Sequence, residues 1–150
     1  MTLELQSPAF DPGERIPDRY GYTEANCNPP LEIDGVPTAA ESLALIVDDP
    51  DAMEPAGKIW DHWVVWNIDP ERTSIPEDWD PTGAVEGTTD YGETGYGGPN
   101  PPDREHVYRF RLVALDTMLD LESGARKGDL EAMMEGHVLD ETLLEGLYAP

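Results

Sequence analysis

Hydrophobic and polar positions divide the chain into a β-rich body and a short helical tail. Residues 1–40 hold no sustained period and are broken by Pro8, Pro12-Gly13, Pro17, Asn28-Pro29-Pro30 and Asp34-Gly35, which reads as extended chain punctuated by turns. Ser42-Leu43-Ala44-Leu45-Ile46-Val47 is apolar throughout, the pattern of a strand buried on both faces, and it stops at Asp48-Asp49-Pro50-Asp51. His62-Trp63-Val64-Val65-Trp66-Asn67-Ile68 is rich in aromatic and β-branched residues and predicts a second strand. Asp69 to Val85 is turn-rich and acidic. Between Gly87 and Pro102 lie five of the 14 glycines and three prolines, which excludes a helix or a regular strand interior and predicts a shaped loop. His106 to Leu115 is a third strand. Its period of two puts His106, Tyr108, Phe110 and Leu112 on one face, with Val107, Arg109, Arg111 and Val113 on the other.

A helical period enters only late. Leu130, Met133, Met134, His137 and Val138 recur at three- and four-residue steps and predict one amphipathic helix, with room for a short second one around Leu143, Leu144 and Leu147. On this reading His137 is a structural histidine on an apolar helix face, and Met133 and Met134 pack in the core. Strands first and helices last predict a mainly β, antiparallel β-sandwich with one or two peripheral C-terminal helices, in a single domain over residues 1–150.

Charge narrows the function. With 32 acidic and nine basic residues the formal net charge is −23, which disfavours nucleic acid and anionic membranes as partners. Disorder is disfavoured too, because 39% of residues are apolar, four are Trp, and the charges are dispersed. Only two of the nine bases are lysines, Lys58 and Lys127. The preferred explanation is adaptation to a salt-rich, halophilic interior, where carboxylates keep a protein soluble and salt screens their repulsion. Neither a secretion signal at the start nor an apolar run of about 18 residues is visible, so the expected location is cytoplasmic, without membrane insertion. The lone Cys27 reads as a small buried filler.

Each of the three strands carries a polar group at one end. Asp49 leaves the first on the face of Leu43 and Leu45, and His62 opens the second on the face of Val64 and Trp66. If these consecutive strands are antiparallel, exit and entrance share a rim, and His106 with Tyr108 can join it straight after the Gly/Pro loop. Two imidazoles, a carboxylate, a phenol, Trp60 as a wall and glycine amides suit a small anion or polar head group. Arg109 and Arg111 point away from His106 by parity and are not expected to be ligands. Asp51 reads as a loop brace.

The segments Asp49-Pro50-Asp51-Ala52, Trp60-Asp61-His62-Trp63-Val64-Val65-Trp66-Asn67-Ile68, Gly87-Thr88-Thr89-Asp90-Tyr91-Gly92, Gly95-Tyr96-Gly97-Gly98-Pro99-Asn100-Pro101-Pro102 and His106-Val107-Tyr108-Arg109-Phe110 resemble the phosphatidylethanolamine-binding protein family, and within it the prokaryotic Raf-kinase-inhibitor-like branch. Asn28-Pro29-Pro30-Leu31 and Gly136-His137-Val138-Leu139 extend the resemblance over nearly the whole chain. It implies a β-sandwich with a small anion pocket at one end, whose residues match Asp49, Ala52, Trp60, His62, Gly98, Pro101, His106 and Tyr108. There His62 and His106 would donate to a phosphate-like anion, Asp49 would orient a histidine, Tyr108 and the Gly98 amide would complete the cradle, and Trp60 with Pro101 would form walls. Two departures stand out. Met53 replaces the Pro usual after Asp-Pro-Asp-Ala, and Arg126 replaces a capping Thr.

The expected function is therefore a binding or regulatory module for a small anion or phosphorylated head group, with no cofactor and no catalysis. Three alternatives stand beside it. One is inhibition of a kinase or protease through protein contact. Another is weak hydrolysis by the Asp/His/His group, although no Gly-x-Ser-x-Gly elbow and no nucleophile context surround the serines or Cys27. The third is a zinc site of His62, His106 and Asp49, although these come from separate segments without metal-ligand spacing. The Gly-rich loop lacks the Gly-Lys-Ser/Thr of a P-loop. The Trp-rich strand leaves room for a homodimer, but no residue pattern fixes one.

Overall fold

A computed structural model describes residues 2–150. The strands are β1 (Glu4–Gln6), β2 (Leu31–Asp34), β3 (Ser42–Asp49), β4 (Trp60–Ile68), β5 (Ser74–Ile75), β6 (Val85–Glu86), β7 (His106–Leu115) and β8 (Val138–Tyr148). The helices are α1 (Met53–Ala56), preceded by a 3₁₀ turn Pro50–Ala52, and α2 (Lys127–Met134). Two antiparallel sheets form: β1-β2-β5, and a larger one in the order β6-β4-β3-β7-β8.

β3 lies at the centre of the large sheet, which explains its unbroken apolar run. Leu43, Leu45 and Val47 face the small sheet and share its core with Leu5, Leu31, Ile33, Trp63, Phe110 and Leu112. Ala44 and Ile46 face the opposite way, where Val64, Trp66 and Val113 pack beneath Leu130 and Met134 of α2. The sheet is thus covered on both faces, and all eight residues of β3 are buried. β7 keeps its predicted boundaries and its alternation, with Arg109 and Arg111 turned to the α2 side, where they bond Asp48 and Glu131.

The C-terminal region departs from expectation. α2 ends at Met134, and the segment predicted to hold a second helix is the long strand β8. Gly136, at φ +84°, turns the chain where a side chain is disfavoured, and β8 then pairs with β7 from Val138 to Tyr148. The buried residues Leu144, Gly146 and Tyr148 follow a period of two, which three leucines alone did not reveal. His137 lies on the exposed turn with Nδ1 2.8 Å from Asp116 Oδ1, not on a helix face. Met134 is core, whereas Met133, expected there too, is about one-third exposed at 36%. Without a Thr cap, α2 starts with the Arg126 amide donating to the Asp129 carboxylate at 3.0 Å.

Candidate functional site

At the end of the sandwich a cavity of about 240 Å³ is lined by Asp49, Ala52, Pro55, Ala56, Trp60, His62, Tyr91, Asn100, Pro101, Pro102, His106 and Tyr108. Seven of the eight expected residues are therefore brought together, and Gly98 is not.

A β-bulge makes the convergence possible. Strict alternation from Val64 would put His62 on the α2 face of the sheet, opposite Asp49. The register instead steps from Val47↔Trp63 to Asp48↔Asp61 and Asp49↔Trp60, so His62 is the extra residue. That shift re-aims its ring. Below the bulge, Trp60 pairs with Asp49 on the cavity face, while Asp61 joins Asp48 on the other side, where Lys127 reaches both at 2.7 and 3.2 Å. The His62 ring meets Tyr108 edge to face at 5.2 Å and Tyr91 at 5.6 Å.

Asp49 ends β3 and does two things. Its Oδ1 accepts from the Asp51 amide at 2.9 Å, capping the 3₁₀ turn that carries Ala52 into the wall, and its Oδ2 lies 2.6 Å from His106 Nδ1. Asp51 is a brace, accepting from the Val107 amide at 2.8 Å. Met53 begins α1, whose Pro55 and Ala56 complete that wall.

The histidines differ in kind. His62 Nδ1 donates to the Gly97 carbonyl at 2.8 Å, and the Gly97 amide returns a bond to the His62 carbonyl at 2.8 Å. Burial lowers the pKa of His62, outweighing the bonds to Gly97, so the ring is neutral with its lone pair on Nε2. His106 is also fully buried, but both of its nitrogens face carboxylates, Nδ1 to Asp49 and Nε2 to Asp103 Oδ1 at 2.7 Å. Burial works against its charge; the bonds to Asp49 and Asp103 prevail and raise its pKa. The expectation that both imidazoles offer free N–H groups to an anion does not match this geometry: His62 presents an acceptor, and His106 is already engaged on both sides. Nor do Asp49, His62 and His106 converge as metal ligands, and among the described residues no group of three or more His, Cys, Asp or Glu could hold a metal.

Gly98 does not line the cavity. Its amide donates to Asn26 Oδ1 at 2.7 Å and its carbonyl accepts from Tyr91 Oη at 2.8 Å, so its N–H is taken up by the protein. A Cβ on Gly98 would fall 2.2 Å from the Tyr20 carbonyl oxygen, and one on Gly97 would fall 2.4 Å from the Tyr91 ring; close approach, not an unusual φ, requires glycine at both. Two buried donors, Trp60 Nε1 and Tyr108 Oη, make no hydrogen bond of regular geometry among the described residues, the Tyr108 phenol lying close to Asp49. Burial beside Asp49 drives the Tyr108 phenol far above its usual range, so it stays a protonated donor.

A model of the phosphatidylethanolamine-binding protein family matches residues 6–149. The chain belongs to that family. Among its relatives, a UPF0098 protein of Methanothermobacter thermautotrophicus is 51% identical over 97% of this chain and 98% of its own length, and one of Pyrococcus horikoshii is 43% identical over 99% and 77%. The crystal structure of a phosphatidylethanolamine-binding protein homologue from Chlamydia trachomatis superimposes with a TM-score of 0.93 at 38% identity, covering 98% of this chain and 97% of that one. Escherichia coli YbcL gives 0.90 at 31% identity, covering 99% and 98%. Tyr91, Asn26 and Asp103 hold contacts at the site that residue patterns alone do not single out. Tyr91 is signalled by its place in the Gly-rich segment, whereas Asn26 and Asp103 lie in irregular chain without a period or motif.

Proposed function

We propose that this member of the phosphatidylethanolamine-binding family binds a small phosphate-type group carrying at least one O–H or N–H, and acts as a binding or regulatory module. The observation that carries the reading is the pair of buried donors in the cavity wall that make no hydrogen bond of regular geometry among the described residues, Trp60 Nε1 and Tyr108 Oη. A buried polar group without a partner costs about 1–3 kcal/mol, and two in one small cavity fit a site organised for a guest. Both would donate to oxyanion oxygens. His62 Nε2, the lone pair fixed by the Gly97 carbonyl, would accept from the guest's own hydroxyl or amine. Singly protonated phosphate or a phosphomonoester meets both demands, whereas sulfate lacks the hydrogen. The volume admits a head group and not an acyl chain.

Binding is favoured over turnover because His62 stands without a nucleophile, and the Gly97 and Gly98 amides, which could form an oxyanion hole, are both engaged. The test is titration with inorganic phosphate, phosphoethanolamine and sulfate in molar KCl, followed by calorimetry and amide NMR. The expected result is saturable binding of the first two, weaker binding of sulfate, and at least a tenfold loss on Tyr108→Phe, about the worth of one charge-assisted hydrogen bond. Equal affinity for sulfate and phosphate would remove His62 as the selecting group, and no binding of either phosphate would end the proposal.

A further inference from the structure

Resting on that reading, we propose that Asp103 is an internal competitor for the guest: its carboxylate occupies the His106 Nε2 hydrogen bond that an incoming oxyanion takes, and binding proceeds by exchange of one anion for the other.

Among the described residues no Arg or Lys lines the cavity, and the His106 imidazolium is the one cationic side chain there. It is held between two carboxylates, at 2.6 and 2.7 Å, with the ring wholly out of solvent. As it stands, the Asp49–His106–Asp103 group has one more negative than positive charge, a poor receptor for an anion. One carboxylate must yield before the imidazolium can serve as a donor.

The two carboxylates are not equally held. Asp49 has 4% of its side chain exposed and is fixed by a second bond, from the Asp51 amide. Asp103 has 37% exposed, and beyond the backbone amides of its own turn its carboxylate has no partner but the His106 side chain among the described residues. It sits in the bend after Pro101 and Pro102, three residues before His106, and its neighbours are anchored independently. Arg104 bonds Glu54 of α1 at 3.0 Å, and the Val107 amide bonds Asp51. Rotation of the Asp103 side chain into water therefore leaves the backbone of the wall in place. Because an oxyanion replaces a carboxylate on the same N–H, the buried imidazolium keeps two anionic partners throughout and is never stranded. Asp103 would thus set the affinity without belonging to the occupied site.

The experiment compares wild type with Asp103→Asn and Asp103→Ala by calorimetric titration with inorganic phosphate in molar KCl. Removing the competing charge should tighten phosphate binding by about tenfold or more, the scale of one charge-assisted hydrogen bond. In wild type carrying ¹³C-labelled aspartate, phosphate should move the Asp103 carboxyl resonance and leave that of Asp49 nearly still. Unchanged or weaker binding by both variants, with wild type binding phosphate, overturns the exchange and leaves the binding proposal standing. Binding by the variants but not by wild type supports the exchange in its strongest form. No binding by any of the three proteins overturns both. A still Asp103 resonance in a phosphate-saturated wild type overturns the exchange independently of how the variants fold.

Discussion

Asp49→Asn isolates the charge on His106. In the wild type, Asp49 Oδ2 lies 2.6 Å from His106 Nδ1 while Oδ1 caps the 3₁₀ turn through the Asp51 amide at 2.9 Å. Asparagine is nearly isosteric and keeps the Oδ1 cap, but its amide N–H₂ faces Nδ1. The ring then becomes neutral, with its proton on Nε2 toward Asp103. A charge-assisted bond is exchanged for a neutral one, a difference of roughly 1–2 kcal/mol. The pH dependence carries the sign. His106 has a folded pKa raised above 6.5, so its charge stabilises the fold fully below 6.5, and that contribution disappears as pH rises through the folded value. The cost of Asp49→Asn should therefore be larger at pH 6 than at pH 9, by that same 1–2 kcal/mol. His62, whose folded pKa is lowered, works the other way: its contribution is present above 6.5 and is lost as pH falls through its folded value. This part is common to wild type and variant and cancels in the difference. Urea titrations in molar KCl should show a midpoint loss greater at pH 6 than at pH 9 by roughly 0.5–1 M. Equal losses at the two pH values, or a greater loss at pH 9, would show that His106 is not charged between its carboxylates.

The remaining expectations concern stability. Eight of the nine bases are paired with carboxylates, and the ninth, Arg72, lies 4.8 Å over the Trp79 ring. The surplus carboxylates repel with nothing left to neutralise them, so the melting temperature should climb steeply from dilute buffer to molar KCl, and a flat response would refute the halophilic reading of the charge. Gly98→Ala should abolish or strongly lower the thermal transition, because its Cβ meets the Tyr20 carbonyl at 2.2 Å; Gly128→Ala in α2, with open space around it, should raise stability by about 0.5–1 kcal/mol. Lys127→Met leaves Asp48 and Asp61 facing each other with one fewer cation, and should cost toward the lower end of the roughly 3–5 kcal/mol seen when a buried pair loses one member. A loss under 1 kcal/mol on urea denaturation would mean that α2 is held by Leu130 and Met134 alone.

Much of this architecture is written in local pattern. The apolar run of β3 and the alternation of β7 are legible because burial on both faces, or on one, imposes those periods directly. Leu143, Leu144 and Leu147 are ambiguous between helix and strand, because long-range pairing of β8 with β7 decides the matter, and pairing leaves little trace in one segment. At the site, the residue types were legible and their roles were not. Parity placed His62 on the same face as Val64, and only the bulge, a property of the β3–β4 register, turns it toward Asp49. Gly98 was expected to offer its amide, which Asn26, far away in sequence, occupies. Asp103 had no pattern to announce it, since an exposed-looking acid in a turn is the commonest residue of so acidic a chain.

The charge of the whole chain and the chemistry of its cavity make opposite demands, and their resolution is measurable. At an ionic strength of 0.1 M, charges act over about 10 Å, so an approaching phosphate feels the repulsion of a molecule with net charge −23. At 1 M the range falls to about 3 Å, the distance of the donor contacts themselves, which salt does not screen once the guest is buried. Exchange with Asp103 sharpens the effect, because the displaced carboxylate stays nearby and the local negative charge grows when the guest enters. Phosphate affinity should therefore rise between 0.1 and 1 M KCl and then level off, opposite to the behaviour of a site built from lysines and arginines. With competition by chloride measured separately, a fall in affinity over that range would mean a positive potential at the cavity mouth. The paired state of the bases leaves no source for one, so the assignment of His106 and its two carboxylates would then have to be abandoned.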